Sequence, residues 1–563
     1  MAATREVISL QFGHYSNFVG THLWNIQEAS FSYDPSGSKK SDVNHDCFFR
    51  EGKTIDGDET YTPRLLLFDL KGSLRNLNVE GTLYPSSSKS VEWPGEVTVY
   101  QSNIEPKNEF QMDIEEEEML SNPLTNDKTE AQEHSAICSG RNKVYDLDDH
   151  VFVWSDFVGT QYHPKSVNII KEYMHVAEHF AFDTFGYGQN LYINTDFRDE
   201  FENSLHFFVE ECDQLQGFQI LTDIHNGFAG LSSQVIQDLA DEYSPKSIIT
   251  FGLLPATLPG STNMKAAHRL LNIALSFDQL SSNSSMLTPL SLAQQGWLQT
   301  GNPSVFPYLT YKDYLSYHTS AILAATIDTL SLPYRLSSPL KCHMDDITKC
   351  LTFGGRKLTS ASTSFPLPIG YDHQLGALLD SAFYSKDSKL LLPLTPNVEQ
   401  VTNLMSQVSI FRGGSPSIPQ NAKVAQPSKK FKSLMDGCQS NLEILNIFSQ
   451  ACNPSGACSN WVSDQACKVE PPFPGIFTPS VSKNGFVQEG FQRDHNCIVE
   501  QVSVLSSLGM SKSIGNMLYS ITNWAKKVDI KKHNSFIESG LEYETFMNVL
   551  VDLESHAHNY ENP

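Results

Sequence analysis

REVISLQFGHYSNFVG, residues 5–20, is the stretch whose reading decides the fold. Val7, Ile8, Leu10 and Phe12 make a short apolar run that Gly13 ends, which predicts a buried first strand. Beyond the glycine, Phe18, Val19, Leu23, Trp24 and Ile26 recur at a spacing that fits one helix face. Strand, glycine turn and helix in that order open a nucleotide-type α/β fold, because the turn's N–H groups and the helix dipole converge on one anion.

Working outward, Arg64 to Leu70 (RLLLFDL) predicts a second strand stopped near Gly72. Phe197, Phe201, Leu205, Phe208, Val209, Cys212 and Leu215 predict a helix that ends by Gly217. A strand at Phe218 to Leu221, a helix through Leu231, Val235 and Leu239, and a strand at Ile248 to Leu254 follow. These elements form a βαβ unit, for which a right-handed parallel crossover is expected. Ala266 to Leu280 and Tyr314 to Leu330 predict two further helices.

The domain reading is a nucleotide-type domain in two parts, residues 1–84 and 144–336. An acidic insertion over 85–143 interrupts it, and a less legible C-terminal domain fills 337–563. The insertion is rich in Ser, Asn, Glu and Pro and is expected to be mobile, with its run Asp113 to Glu118 a solvated loop.

At 563 residues the chain exceeds what one core serves, and its 40% hydrophobic and 18% charged residues are those of a folded protein. A net charge of -24 repels a phosphate backbone, so nucleic acid is not an expected partner. The 10 cysteines lack the spacing of a disulfide framework, which predicts a reducing compartment; Cys452, Cys458 and Cys467 match no zinc pattern. No targeting segment is visible in MAATREVISLQFG, and no run of about 18 apolar residues occurs, so membrane association is expected only peripherally or through a partner.

Three turns stand where phosphates bind in a parallel sheet: Gly13 to Gly20, Asp69 to Ser73 (DLKGS) and Asp223 to Gly230 (DIHNGFAG). No GxxxxGK[ST], HExxH, GxSxG or kinase pattern is present, and no catalytic residue is assigned. Among the histidines, His163, His175 and His179 are the conspicuous set, with the last two spaced i, i+4 on a predicted helix. Without a third ligand they read as a partly buried face, and no metal site is expected.

The wording of these segments resembles tubulin. Arg5, Glu6, Gln11, Gly13, Asn17 and Gly20 fall in the places of the tubulin opening, continued by Trp24, Asp34, Pro35 and Gly37. Tyr61, Pro63, Arg64, Asp69 and Leu70, then Asp213 to Gln219 (DQLQGFQ), keep the register through Asn272, Leu275, Ser276, Gln279 and Leu280 to Thr310, Tyr311 and Asp313. The resemblance implies a tubulin/FtsZ-like parallel-sheet fold with a divergent C-terminal α+β domain. It also implies a guanine-nucleotide pocket built from Gln11, Gly13, Asn17, Asp69, Gly227, Gly230 and Tyr311.

Departures from the pattern predict that this pocket is vestigial and that no cofactor is kept, GTP being the one candidate. The family's GGGTGSG is here His225 to Leu231 (HNGFAGL), with Phe228 and Leu231 bringing bulk and no hydroxyls. Lys71 replaces an acid that would stand near the nucleotide's metal, and Leu315 replaces a guanine-reading amide. The loop that completes a neighbour's site in tubulin polymers is not recognisable in Ser337 to Ile347.

DIHNGFAG, VWSDFVGTQYHPKSV (residues 153–167) and the acidic insertion together resemble the Misato family over essentially the full chain. That resemblance implies a cytoplasmic protein, also on the mitochondrial outer membrane, which regulates mitochondrial distribution, morphology and fusion. It implies protein partners: tubulin, the cytosolic chaperonin, the spindle machinery and outer-membrane components. Three readings stay open: a regulatory protein without turnover, an active GTPase, and an assembly factor that presents a tubulin-like surface to a chaperonin.

Overall fold

The structure is a computed structural model. It describes residues 5–31, 42–53, 59–77, 106–121, 143–175, 181–258, 262–297, 301–337, 341–371, 375–385, 390–398, 404–413, 438–488, 490–494 and 497–561. Asp34, Pro35, Gly37 and His179, the insertion apart from 106–121 and 143, and most of the Gly413 to Lys430 stretch lie outside the described residues.

In chain order the N-terminal elements are β1 (Val7–Phe12), α1 (His14–Ala29), the hairpin β2 (Phe49–Lys53) and β3 (Glu59–Pro63), β4 (Leu65–Lys71) and α2 (Glu109–Ser121). There follow β5 (Val167–Met174), α3 (Phe185–Ile193), α4 (Thr195–Glu210), β6 (Gly217–Asp223), α5 (Gly227–Glu242), β7 (Ser247–Leu253), α6 (Asn263–Asn283), β8 (Met286–Leu290) and α7 (Ser316–Ser331). Apart from the helix expected at His175, the strand and helix expectations of the sequence fall on these elements to within a few residues, as hydrophobic periodicity allows.

Six strands form one parallel sheet in the order β5-β4-β1-β6-β7-β8. Chain order reverses at β1, so α1 leaves β1 toward one face and α5 leaves β6 toward the other. Ligands of open parallel sheets bind in the crevice such a reversal opens. The two faces bury separate cores. Phe18, Leu23 and Trp24 of α1 meet Ile322 and Leu323 of α7 on one side. Phe228 and Leu231 of α5 meet Leu270 and Phe277 of α6 on the other. Covered on both faces, β1, β6 and β7 are buried along their whole length, as parallel strands must be.

The acidic run departs from expectation. It lies in α2, not in a loop: Glu and Met are good helix formers, and Phe110 gives the helix one buried anchor. Asp113 accepts from Lys143 Nζ and Tyr145 Oη, both at 2.7 Å, which ties the helix to the chain that returns from the insertion.

The C-terminal part supplies α8 (Met344–Leu351), β9 (Ser360–Ser364), α9 (Leu375–Tyr384), β10 (Leu392–Pro393), β11 (Ser406–Arg412), α10 (Asn441–Cys452), β12 (Ala457–Ser463), β13 (Cys467–Lys468), β14 (Gln501–Val502) and β15 (Val504–Met510). It ends in α11 (Lys512–Ala525), α12 (Asn534–Glu538) and α13 (Tyr543–Asn559). Its five-stranded sheet is mixed, in the order β10-β9-β15-β11-β12. Ile514 and Ile521 of α11 and Leu550 of α13 join the core under α6, so the last helices complete the N-terminal domain.

One ion triad links the two sheets. Asp328 on α7 accepts from Arg335 Nη2 at 2.7 Å and from Arg412 Nη1 at the end of β11, and all three residues are buried. Arg412 also donates to the carbonyls of Gln465 and Ala466. Burial alone would raise the Asp328 carboxyl pKa, but Arg335 and Arg412 hold it below the ordinary carboxylate range.

Removing this carboxylate strands two buried guanidinium groups. Asp328→Ala is expected to destabilise the fold by about 3–5 kcal/mol in denaturant titrations. A depressed carboxyl stabilises above its unfolded pKa and loses that contribution as pH falls through the folded value. The gap in melting temperature between wild type and Asp328→Ala should therefore be full at neutral pH and close below about pH 4.

Candidate functional site

Gly13 follows β1 with φ +111° and its N–H donates to the Phe68 carbonyl at 3.2 Å. The helix that starts beside it has no acid in its first turn and no side-chain cap of its own. Its cap comes from the far side of the crevice. Asp223, the last residue of β6, accepts from the Ser16 N–H at 2.8 Å, the Ser16 hydroxyl at 2.7 Å and the Tyr15 N–H at 3.2 Å. A methyl group at Gly13 would overlap this carboxylate, so glycine is required there by close approach as well as by φ.

Burial pushes the Asp223 carboxyl up to about 6, with the Ser16 and Tyr15 donors pulling the other way. At neutral pH it is therefore an anion on the N-terminal amides of a helix, the place where a phosphate binds.

The turn DIHNGFAG is committed in the same internal fashion. Asn226 caps α5 by accepting from the Phe228 N–H at 3.0 Å and donates to Asp223 at 3.3 Å. The Gly227 N–H goes to the Phe182 carbonyl at 3.0 Å, and the Phe182 ring lies against the Gly227 Cα. Phe228 turns its ring edge-on to Phe182, with centroids 5.0 Å apart, inside the α5–α6 core. What fills the space against Gly13 is Asp223, whereas the bulk of Phe228 serves the core beyond it.

Gly227 and Gly230 both have close neighbours within the chain. A methyl at Gly230 would overlap the Phe185 carbonyl oxygen, and one at Gly188 the Gly227 carbonyl oxygen. These glycines let α3 and α5 touch backbone to backbone. Asn272 of α6 fixes the arrangement by accepting from the Phe185 N–H at 2.8 Å and donating to the carbonyls of Asp183 and His225 at 2.6 and 2.9 Å.

Asp69, near the end of β4, is buried and fully engaged. Its Oδ2 accepts from Trp154 Nε1 at 2.7 Å, His14 Nδ1 at 3.0 Å and Asn17 Nδ2 at 3.3 Å, and its Oδ1 from the Leu70 N–H at 2.8 Å. Burial works to raise its pKa, but His14 leads the groups that hold it below the ordinary value. Gln11 lies under α1 against the Cα of Gly20, and its Nε2 is buried without a hydrogen-bond partner. Lys71 is exposed.

The structure thus brings Gln11, Gly13, Asn17 and Asp69 together around the start of α1. It places Gly230 where α5 meets α3 and Gly227 against the Phe182 ring. Tyr311 packs on the core that holds Tyr15 and Phe18 of α1; its hydroxyl donates to the Ser304 carbonyl at 2.5 Å and its ring meets Phe306 edge-on. Leu315 caps α7 with its backbone.

The histidine set divides. His163 stacks on Phe207 in a turn, and His175 follows β5 directly and meets His14, with ring centroids 3.7 Å apart. The helix expected to carry His175 is a strand, because VNIIKEYM pairs parallel to β4. Asp223 and the His14–His175 contact are what the sequence reading missed. The one visible signal for Asp223 was an acid placed between a buried strand and a glycine turn.

Residues 5–116 match the Misato Segment II tubulin-like domain, and residues 146–336 match a Tubulin domain. Protein misato homolog 1 of Bos taurus is 35% identical over 571 residues, covering 99% of this chain and 98% of the relative. This chain belongs to the Misato family. Its human counterpart of the same name is 34% identical over 99% of this chain and 98% of its own length, and protein misato of Drosophila melanogaster is 29% identical over 98% of each. The Misato fold is tubulin-like, and in this member the amides at the crevice have partners within the chain: those of Tyr15 and Ser16 are bound to Asp223, that of Gly227 to the Phe182 carbonyl and that of Phe228 to Asn226.

Two consequences can be measured. Gly230→Ala should destabilise the protein by about 1–3 kcal/mol in chemical denaturation, because α3 and α5 must separate. Asp223 bears on pH in the sense of a raised carboxyl, which binds its proton more tightly folded than unfolded and costs stability once ionised. Wild type should therefore lose stability relative to Asp223→Asn as pH rises from about 4 to about 6, with the difference constant above that range.

Proposed function

We propose that this chain is a non-catalytic, tubulin-like binding protein that acts without nucleotide turnover. We further propose that its role is regulation of mitochondrial distribution, morphology and fusion, as the family resemblance implies. The observation that supports the first part is the Asp223 carboxylate on the N-terminal amides of α1. An anion that belongs to the chain does for these loops what a bound phosphate would do, so the domain needs no ligand to organise them.

Such a protein works through its surface. The proposed partners are tubulin, the cytosolic chaperonin and mitochondrial outer-membrane components, with the protein in the cytoplasm and peripherally on that membrane. Peripheral attachment accords with the described residues, among which no helix is long and apolar enough to cross a bilayer.

Protein purified under native conditions is expected to carry no stoichiometric GTP or GDP by chromatography of the denatured extract. Its melting temperature should move by less than about 1 °C in millimolar GTP and Mg²⁺, since a ligand at 100 times its Kd would add about 2.7 kcal/mol. Tight guanine-nucleotide occupancy would overturn the non-catalytic reading. For the cellular role, depletion should alter the mitochondrial network, and re-expression of wild type or of Tyr311→Ala should restore it equally. An unchanged network after depletion would remove the mitochondrial assignment.

A further inference from the structure

His14 opens α1, Asp69 stands one residue before the end of β4, and His175 follows β5 immediately. Strands β1, β4 and β5 are neighbours in the sheet, so the three side chains meet at the edge where parallel strands end. One ligand atom from each, two imidazole nitrogens and a carboxylate oxygen, lies within 4.8 Å of the other two. We propose that His14, Asp69 and His175 form a binding site for a divalent transition-metal ion of the Zn²⁺ class.

The distances suit such an ion. Zinc bound at about 2.0–2.2 Å in tetrahedral geometry places its ligand atoms about 3.3 Å apart. His14 Nδ1 and Asp69 Oδ2 are 3.0 Å apart, and a His175 ring nitrogen lies within 4.8 Å of a ligand atom on each. The donor set speaks for the ion class: imidazole suits zinc and its neighbours, whereas magnesium selects oxygen and water.

The supporting shell is in place. Asp69 is held by Trp154 Nε1, Asn17 Nδ2 and the Leu70 N–H, so its carboxylate is oriented independently of His14. His175 is held by its own N–H on the Lys71 carbonyl at 3.0 Å, and the His14 ring by Phe18 edge-on at 5.2 Å. A hydrogen-bonded His–Asp pair alone would need neither the second imidazole in ring contact nor this fixed carboxylate. With Asp69 fully buried and the His14 side chain 21% exposed, the ion would have protein on one side and solvent at its remaining position. It would clasp three loops through ligands the chain supplies. The site stands on these contacts alone, whatever the outcome for guanine nucleotide.

The test uses the full chain, freed of any histidine tag and stripped with a chelator, then titrated with Zn²⁺ against a chromophoric competitor. Wild type should bind one Zn²⁺ tightly, and His14→Gln or His175→Gln should each weaken it by at least tenfold. Trp154→Phe, which removes a hydrogen bond to the ligand carboxylate, should weaken it about tenfold. Zn²⁺ should raise the melting temperature of wild type and leave that of the double variant His14→Gln/His175→Gln unmoved. Equal affinity in wild type and a folded double variant would overturn the proposal, since the other histidines would then be the binders. If the double variant does not fold, Co²⁺ added to wild type decides: an intense visible band of a four- or five-coordinate, nitrogen-ligated ion supports the site, and the pale spectrum of an aqua-like ion overturns it.

Discussion

A carboxylate at the end of one central strand holds the first turn of the helix that leaves its neighbour. Asp223 reaches from β6 to Ser16 and Tyr15 of α1, across the point where the strand order of the sheet reverses. Two helices depart to opposite faces there, so the amides at their starts would be unsatisfied if nothing filled the gap. The contact therefore sets how close β1 and β6 bring their following turns, and with that the conformation of Gly13 and the position of Asn226. Asp69 is placed in turn through Asn17, one helical turn beyond Gly13.

The fold around this contact was legible because it is written locally. Alternating or continuous apolar runs, broken by Gly13, Gly72 and Gly217, were enough to place β1, β4, β6, β7 and the helices between them. The resemblance to tubulin then supplied the order of parts that periodicity cannot. Less was legible in the site. The letters of Gly227 and Gly230 point to phosphate approach, but not to the close contacts they make: Gly230 lies where α5 meets α3 and Gly227 lies against the Phe182 ring, tertiary requirements with no local signature.

Asp223 and His175 show the limit most clearly. Each finds its partner across the sheet, on α1, at a separation that no short-range pattern spans. The acidic run of α2 erred in the opposite direction: charge suggested a solvated loop, while helix propensity and the anchor at Phe110 prevailed. In the C-terminal part, α11 and α13 cover α6 and so belong energetically to the first domain, which is why that stretch read poorly as a unit of its own. Asp328, Arg335 and Arg412 make the same coupling in ionic form.

Covalent attachment gives Asp223 a property that no dissociable ligand has. Held at the end of β6, it faces the α1 amides at an effective concentration of millimolar or more, set by the fold and not by the surroundings. A free phosphate would have to displace a group that never diffuses away and that, unlike a γ-phosphate, cannot be cleaved. On the non-catalytic reading proposed for this chain, the charge at this place is fixed by the carboxylate, and any timing in the protein's action comes from outside the crevice.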